Sequence, residues 1–190
     1  ELKEYTHIII SEADRLQSLL DRMLGPNNLP SIEPVNIHEV LEHVRDLVRV
    51  EAGEGLRITH DYDPSLPDLL ADRDLLLQSI LNIVRNAAQA LGNEGKITLR
   101  TRIRRNFNIG SVKHRLVARI EVIDNGPGID EELRKQIFYP MITGRSDGTG
   151  LGLSIAQALI SRHQGLIECN SQPGKTVFTI LLPLDEKHES

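Results

Sequence analysis

The chain has 190 residues, of which 39% are hydrophobic and 26% are charged, and its formal net charge is -5. This is enough for one ordinary domain with its own core, and the composition is not that of a disordered chain. The acidic balance argues against nucleic acid or an anionic membrane as the main partner, and the scarcity of aromatic residues argues against a stacking platform for single strands. No apolar run is long enough to cross a bilayer. A single cysteine, Cys169, excludes an internal disulfide and suits a cytoplasmic location.

The chain opens with a predicted amphipathic helix over residues 1–25. Apolar residues recur there at helical spacing, from Ile8 to Leu24, with charged residues on the opposite face. Gly25 suits a helix C-terminus and the prolines that follow prevent continuation, so residues 26–35 are predicted to form a linker. Because the helical pattern is present from the first residue, we expect the chain to be part of a longer protein.

Residues 36–184 are predicted to form one globular domain, followed by a frayed tail over residues 185–190. Its longest element is a central helix that begins near Asp72 and ends at Gly92. Before it, the patterns predict a helix capped by Asn36 and a strand over residues 56–63. After it, they predict strands over 95–106 and 113–124 joined by a polar connection over 107–112, a short helix over 132–138, a helix over 151–165 and a final hairpin around Pro173 and Gly174.

Only one face of each late strand is strongly apolar, which predicts a sheet covered by helices on one side. The expected fold class is therefore α+β: a two-layer α/β sandwich with a mixed, mostly antiparallel sheet and helices on one face, plus the N-terminal amphipathic helix.

Two asparagines, Asn82 and Asn86, lie one turn apart in the central helix, flanked by apolar residues on both sides. Gln78 and, more loosely, Gln89 follow the same line. One interpretation is a polar edge that faces water. The other uses the chemistry of the amide, because its oxygen is a hard ligand suited to Mg²⁺ and its nitrogen can donate to a phosphate oxygen. Two amides one turn apart could therefore hold a metal–phosphate unit against the helix.

A glycine-containing turn follows Asp124, at the end of a predicted strand, and includes Gly126 and Gly128. An Asn-Gly pair is typical of a hairpin, but no alternating strand follows this one. A carboxylate only accepts hydrogen bonds, so Asp124 would favour the amino group of adenine and repel the carbonyl oxygen of guanine. Asp124 is thus a candidate for selecting ATP over GTP, and Thr176, at the start of the last strand, could share this adenine-side network.

A second glycine cluster, Gly148, Gly150 and Gly152, comes immediately before a predicted helix. It could be a flexible loop with one capping glycine, but free backbone N–H groups at a helix start also form a site for phosphate anions. The segment between the two clusters, residues 129–146, has few regular signals and is predicted to be a mobile lid. Arg145 within it could reach a terminal phosphate or could simply be solvated.

Five segments in this order resemble the ATP-binding domain of the sensor histidine kinases, within the larger gyrase/Hsp90/MutL-like superfamily. They are NIVRNA at 82–87, DNGPGI at 124–129, IFYPM at 137–141, GTGLGL at 148–153 and PGKT at 173–176. The finer resemblance is to the nitrogen-regulation kinases of the NtrB type. It implies ATP and Mg²⁺ as cofactors, with the catalytic and metal-binding roles on Asn82 and Asn86.

The resemblance also implies roles for the glycines and for the acceptor. Gly126 and Gly128 would shape the adenine turn, and Gly148, Gly150 and Gly152 would wrap the phosphates. The family's acceptor histidine lies in a motif that surrounds none of the seven histidines here. The opening helix resembles the second helix of the family's dimerisation hairpin. The enzyme, a protein histidine kinase, is therefore expected to be incomplete in this fragment and to be a phosphorylated homodimer in full length.

The expected partners are the acceptor helix of the same full-length protein, an NtrC-like response regulator and a PII signalling protein. Two alternatives remain open at this point. One is a conformational ATPase or an anti-sigma-type serine kinase of the same superfamily, although Asn82 stands where the hydrolysing ATPases place a glutamate that activates water. The other is a regulatory module that senses nucleotide without transferring phosphate.

Overall fold

The computed structural model describes residues 30–92, 94–144 and 149–184. The predicted helix over 1–25, the first residues of the predicted linker, and the tail over 185–190 lie outside this part of the chain.

Four helices and seven strands make up the described fold. The helices are α1 (Ile37–Ala52), α2 (Arg73–Leu91), α3 (Glu131–Arg134) and α4 (Gly152–Arg162). The strands are β1 (Glu33–Val35), β2 (Leu56–Asp61), β3 (Leu69–Ala71), β4 (Gly95–Ile109), β5 (Val112–Asp124), β6 (Leu166–Gln172) and β7 (Lys175–Pro183).

The two long helices begin at side-chain caps that were predicted from the sequence. The Asn36 side chain accepts a hydrogen bond from the backbone N–H of His38 at 2.9 Å. The Asp72 carboxylate accepts from the backbone N–H groups of Asp74 and Leu75, both at 3.1 Å. Each cap satisfies N–H groups that have no partner inside the helix, and Gly92 ends α2 as expected.

A five-stranded sheet with the order β2-β4-β5-β7-β6 forms one layer of the domain. Only β2 and β4 run parallel, and the other neighbours are antiparallel. Helix α2 packs against β4 and β5, and α1 and α4 pack on either side of it. The predicted fold class, a mixed and mostly antiparallel sheet with helices on one face, is confirmed.

The inner face of α2 supplies the centre of the core. Its fully buried apolar side chains are Leu76, Ile80, Ile83, Val84 and Ala87. They meet buried residues of the sheet, including Ile97, Leu99, Ile120, Val122 and Phe178. Because this stripe covers one side of the helix, the opposite side is left for polar residues.

The predicted polar connection over 107–112 is wrong, because β4 continues to Ile109 and β5 begins at Val112. The remaining two-residue turn has Gly110 at its first position with a φ of 59°, as a tight hairpin turn requires. The φ of 48° at Asn106 interrupts the side-chain alternation of β4, but it does not end the strand pairing, because Phe107 still lies opposite His114. Beyond that point, Phe107 and Ile109 join a small second apolar cluster, separate from the main core.

Three further differences concern short elements. The short helix predicted over 132–138 is observed only as α3, Glu131–Arg134. Strands β1 and β3 were not predicted, and they form an antiparallel pair of their own. The last three residues of the predicted linker, Glu33–Val35, thus pair with Leu69–Ala71 of the domain.

Candidate functional site

A cavity of about 1060 Å³ lies between the polar face of α2, the end of α1, the ends of β5 and β7, and the start of α4. Seven of the ten site residues predicted from the sequence line it: Asn82, Asn86, Asp124, Gly128, Gly150, Gly152 and Thr176. Gly126 lies in the turn beside it. Arg145 and Gly148 fall outside the described residues. The asparagine pair, the two glycine clusters and the start of the last strand are far apart in the sequence, and the fold brings residues from all of them to one cavity.

The polar face of α2 forms one wall of this cavity. Asn82 and Asn86 are half-buried there, and Arg85 and Gln89 line the same wall. These four positions share one side of a helix because they are spaced by three or four residues. Gln78, which follows the same line in the sequence, does not line the cavity. The amide pair therefore faces the cavity.

Asp124 lies at the inner end of the cavity and is only 3% exposed. Its Oδ1 accepts a hydrogen bond from the backbone N–H of Gly126 at 2.9 Å, which turns the chain away from the end of β5. Asp124 is paired across the sheet with Thr176 of β7. A carboxylate and a hydroxyl therefore stand side by side where the two strands meet the cavity.

A hydrogen-bonded network holds this end of the cavity together. The Thr176 and Ser171 hydroxyls are 2.7 Å apart, and Ser171 Oγ accepts from the backbone N–H of Ile129 at 2.8 Å. The backbone N–H of Gly174 donates to the carbonyl of Gly126 at 2.9 Å. The β6–β7 hairpin is thereby tied to the turn after β5. Ser171 was not predicted, since only the pairing of β6 with β7 brings it to Thr176.

The close approach of this hairpin explains a glycine in the turn. A Cβ at Gly128 would lie 2.9 Å from the backbone of Gln172, and the φ of Gly128 is 87°. Both the space and the conformation require glycine there.

At the other end of the cavity, α4 begins at Gly152. Within the described chain no side chain caps this helix, so its first N–H groups are not satisfied by a capping side chain. The backbone N–H of Met141 donates to the carbonyl of Gly150 at 3.0 Å, which ties the predicted lid segment to the helix start. Gly152 and Leu153 both line the cavity. A helix N-terminus that opens onto a cavity is suited to an anion such as phosphate.

Gly150 should be the glycine whose replacement disturbs the site most. Its φ is 68°, and a Cβ there would lie 2.6 Å from the backbone carbonyl carbon of Met141. We expect Gly150→Ala to lower the free energy of unfolding by about 1–3 kcal/mol and to weaken nucleotide binding, because the chain must move away from the start of α4. Urea unfolding and calorimetric titration with ATP would measure the two effects.

Gly110→Ala is the matched control for that substitution. Gly110 has a φ of 59°, but a Cβ there would meet nothing within 4 Å. Gly110→Ala should therefore lower the free energy of unfolding only by the conformational strain, about 1 kcal/mol. It should leave nucleotide affinity unchanged. Equal losses for both variants would mean that the contact with Met141 has no effect.

Apolar side chains form another part of the cavity wall, and several of them come from the segment 129–146 that was predicted to be a lid. Phe178 is fully buried and lines the cavity floor, and the ring of Phe138 meets it edge-on with centroids 6.4 Å apart. The other apolar residues of the lid side are Ile129, Leu133, Ile137 and Ile142. A floor of this kind suits the flat face of a nucleobase.

An ion pair lies at the edge of the cavity where α1 meets α2. The Arg85 guanidinium bonds both carboxylate oxygens of Glu51, with Nε to Oε2 at 2.9 Å. These hydrogen bonds hold the pKa of the Glu51 carboxyl below its usual value. Sequence reasoning missed both residues, because Glu51 reaches the site only through the packing of the two helices.

Residues 71–186 match the family model described as histidine kinase-, DNA gyrase B- and HSP90-like ATPase, which is more than half of the chain. The chain belongs to this ATPase family. The sensory histidine kinase/phosphatase NtrB of Vibrio alginolyticus is 53% identical to it over 185 residues, which cover 96% of this chain and 53% of that protein. The chain thus spans about half the length of the curated relatives it matches.

Two solved structures share the fold of this ATPase-family chain. Full-length ShkA in complex with AMPPNP superposes with a TM-score of 0.71 at 27% identity, covering 97% of this chain and 39% of ShkA. Histidine kinase ThkA in complex with the response regulator TrrA superposes with a TM-score of 0.64 at 27% identity, covering 97% of this chain and 52% of ThkA. The resemblance predicted from the five sequence segments is confirmed at the level of the family and its NtrB branch. In the described part of the chain, no helix has the length and apolar character needed to span a membrane.

Proposed function

We propose that this chain is the ATP-binding catalytic domain of a two-component sensor histidine kinase that acts in nitrogen regulation. The observation that carries the proposal is that Asn82, Asn86, Asp124 and the glycine turns line one cavity of about 1060 Å³. The similarity to NtrB supports the kinase class, and ShkA, of similar fold, was solved with AMPPNP.

The two ends of the cavity suggest how ATP would lie in it. The adenine would occupy the end formed by Asp124 and Thr176, where a buried carboxylate can accept from its amino group. The phosphates would lie along the wall formed by Asn82 and Asn86, called the amide wall below, and at the start of α4, where the N–H groups favour an anion. The apolar floor at Phe178 would lie beneath the base.

Asn82 and Asn86 are the residues that would hold Mg²⁺. Their amides offer hard oxygen ligands on one wall, and Mg²⁺ is usually held by one or two protein oxygens together with phosphates and water. The donor set therefore fits the ion. When bound, the ion would neutralise charge on the transferred phosphoryl group.

The residues of the cavity suit transfer to a nitrogen nucleophile. Asn82 cannot act as a general base, and a neutral imidazole needs none because it is already nucleophilic. None of the histidines among the described residues lines the cavity. We therefore place the acceptor on the histidine helix of the full-length protein, and the role of this chain is to bind, orient and shield the phosphoryl donor.

We also propose partners for the full-length protein. The complex of ThkA with TrrA supports a response regulator as the next phosphate acceptor, and the similarity to NtrB favours one of the NtrC type. A PII signalling protein and homodimerisation of the full-length protein belong to the same proposal. We place the reaction in the cytoplasm, where ATP is the phosphoryl donor.

A reconstituted transfer reaction tests this function. The chain is mixed with γ-labelled ATP, Mg²⁺ and a separately expressed dimerisation hairpin that carries the acceptor histidine. We expect acid-labile label on the hairpin only when the chain is present, and none on a hairpin whose acceptor histidine is replaced by glutamine. Steady ATP hydrolysis without the hairpin would favour the conformational ATPase, acid-stable label the serine kinase, and binding without any transfer the sensing module.

A further inference from the structure

Arg85 occupies an unusual place in the cavity wall. It follows Asn82 by three residues and precedes Gln89 by four, and like Asn82 and Asn86 it lines the cavity. Among the described residues that line the cavity, it is the one Lys or Arg side chain. Its guanidinium is held by Glu51, which lies in the last turn of α1 and also lines the cavity.

The charges around this pair favour exchange of partners. The described acidic residues that line the cavity are Glu51, Asp124 and Asp130. A nucleotide phosphate chain that enters here carries several negative charges, of which one Mg²⁺ neutralises two. A guanidinium matches a phosphate as well as a carboxylate, because both offer two oxygens to its planar fork. The Arg85 side chain is 43% exposed and its Glu51 partner 44%, so neither is packed in place.

We propose that Arg85 is a phosphate-positioning residue which leaves Glu51 and binds the terminal phosphate of ATP. This rests on the proposed function, since it assumes that the nucleotide lies along the amide wall. Glu51 holds the guanidinium beside the cavity until the nucleotide arrives, and it competes with the phosphate for the same donors. The pair thereby makes the site respond to whether the terminal phosphate is present.

The competing explanation is that the pair only links α1 to α2. An ion pair as exposed as this one contributes little to stability, so a structural link alone is a weak reason for a bidentate geometry at the cavity edge. The two explanations differ in what removal of Glu51 does. If the pair only links the helices, removing either residue should have the same effect on the affinity for ATP. If Glu51 and the phosphate compete for Arg85, removing Arg85 should weaken ATP binding and removing Glu51 should strengthen it.

The test uses the full 190-residue chain with Arg85→Ala, Glu51→Gln and the double substitution. Dissociation constants for Mg-ATP and Mg-ADP are measured by calorimetry, and unfolding by urea without nucleotide. We expect Arg85→Ala to weaken ATP binding by about 10-fold or more, as for loss of a charged hydrogen bond, and to change ADP binding far less. Glu51→Gln should tighten ATP binding several-fold, and the double variant should behave as Arg85→Ala does.

Arg102→Ala is the matched control. Arg102 pairs with Asp61 at 2.7 Å on the sheet, with exposures of 39% and 43%, and it does not line the cavity. It should lower stability slightly and leave both nucleotide affinities unchanged. Arg85→Lys should recover only part of the ATP affinity, because lysine cannot make the bidentate contact.

Two results would overturn the inference. The first is a loss of ATP and ADP affinity to the same degree in Arg85→Ala. The second is weaker ATP binding in Glu51→Gln. If the unsubstituted chain bound ATP and the variants gave either of these results, the proposed function would still hold, but the proposed role of Arg85 would be wrong. If the unsubstituted chain bound no nucleotide, both would fall.

Discussion

Under the proposed function, Asp124 selects ATP over GTP, and replacing Asp124 with asparagine should reverse that preference. The carboxylate is 3% exposed, and its Oδ1 accepts from the backbone N–H of Gly126 at 2.9 Å. In the variant, the amide oxygen keeps that hydrogen bond, which turns the amide nitrogen towards the base. The amide nitrogen is a donor, so it cannot form a hydrogen bond with the amino group of adenine, which is also a donor. It can donate to the carbonyl oxygen of guanine.

The effect should be large because the position is buried. A donor left facing a donor in a buried site costs about 1–3 kcal/mol, so ATP affinity should fall by roughly 10- to 100-fold while GTP affinity rises. Calorimetric titration of the Asp124→Asn variant with both nucleotides measures the ratio.

Asp130→Asn is the control for this change. Asp130 also lines the cavity, but it caps α3, a role that asparagine fills equally well. Its ATP-to-GTP ratio should not change. If Asp124→Asn weakened both nucleotides alike, Asp124 would not contact the base.

Asn86→Ala should remove most of the magnesium-dependent affinity for ATP. Asn86 is half-buried in the amide wall and shares it with Asn82, one turn away. An amide that binds the ion or a charged phosphate contributes about 1.5–3 kcal/mol, so the dissociation constant for Mg-ATP should rise by roughly 10- to 100-fold. The loss should be far smaller when ATP is titrated with a chelator in place of Mg²⁺.

Gln78→Ala provides the comparison on the same helix. Gln78 is a half-buried amide two turns before Asn86, and it does not line the cavity. Its removal should leave Mg-ATP binding intact. A loss for Asn86→Ala that is equal with and without Mg²⁺ would show that this amide contacts the nucleotide directly and not through the ion.

The central helix could be predicted from the sequence almost to the residue, because its signals are local. Asp72 caps its own helix, Gly92 ends it, and the apolar spacing between them marks the core face. Strands β1 and β3 could not be predicted in this way. Each has three residues and exists only because the other lies beside it, so no periodic pattern can develop.

The hairpin at 107–112 illustrates a different limit. The change of face at Asn106 depends on a single backbone angle, and the apolar residues beyond it are explained only by the second cluster that they join. Asn106, Asn108 and Gly110 are residue types typical of turns, so the local sequence predicts a connection there, whereas Phe107 and Ile109 continue the strand.

The same distinction applies to the site. Asn82 with Asn86, and each glycine turn, are short motifs whose chemistry is visible in neighbouring residues. Ser171 and Glu51 are ordinary polar residues in the sequence. They gain a role from strand pairing and from helix packing, neither of which leaves a local signal.

The network of Ser171, Thr176 and Ile129 also bears on the order of binding and release. It joins the end of the cavity at Asp124 and Thr176 to two paired strands, so that end is held in place without a ligand. The end of the cavity at the start of α4, where we propose that the phosphates bind, is instead bounded by turns connected through Met141 and Gly150. Under the proposed function, ATP and ADP would therefore associate at similar rates, and the difference between them would lie in residence time.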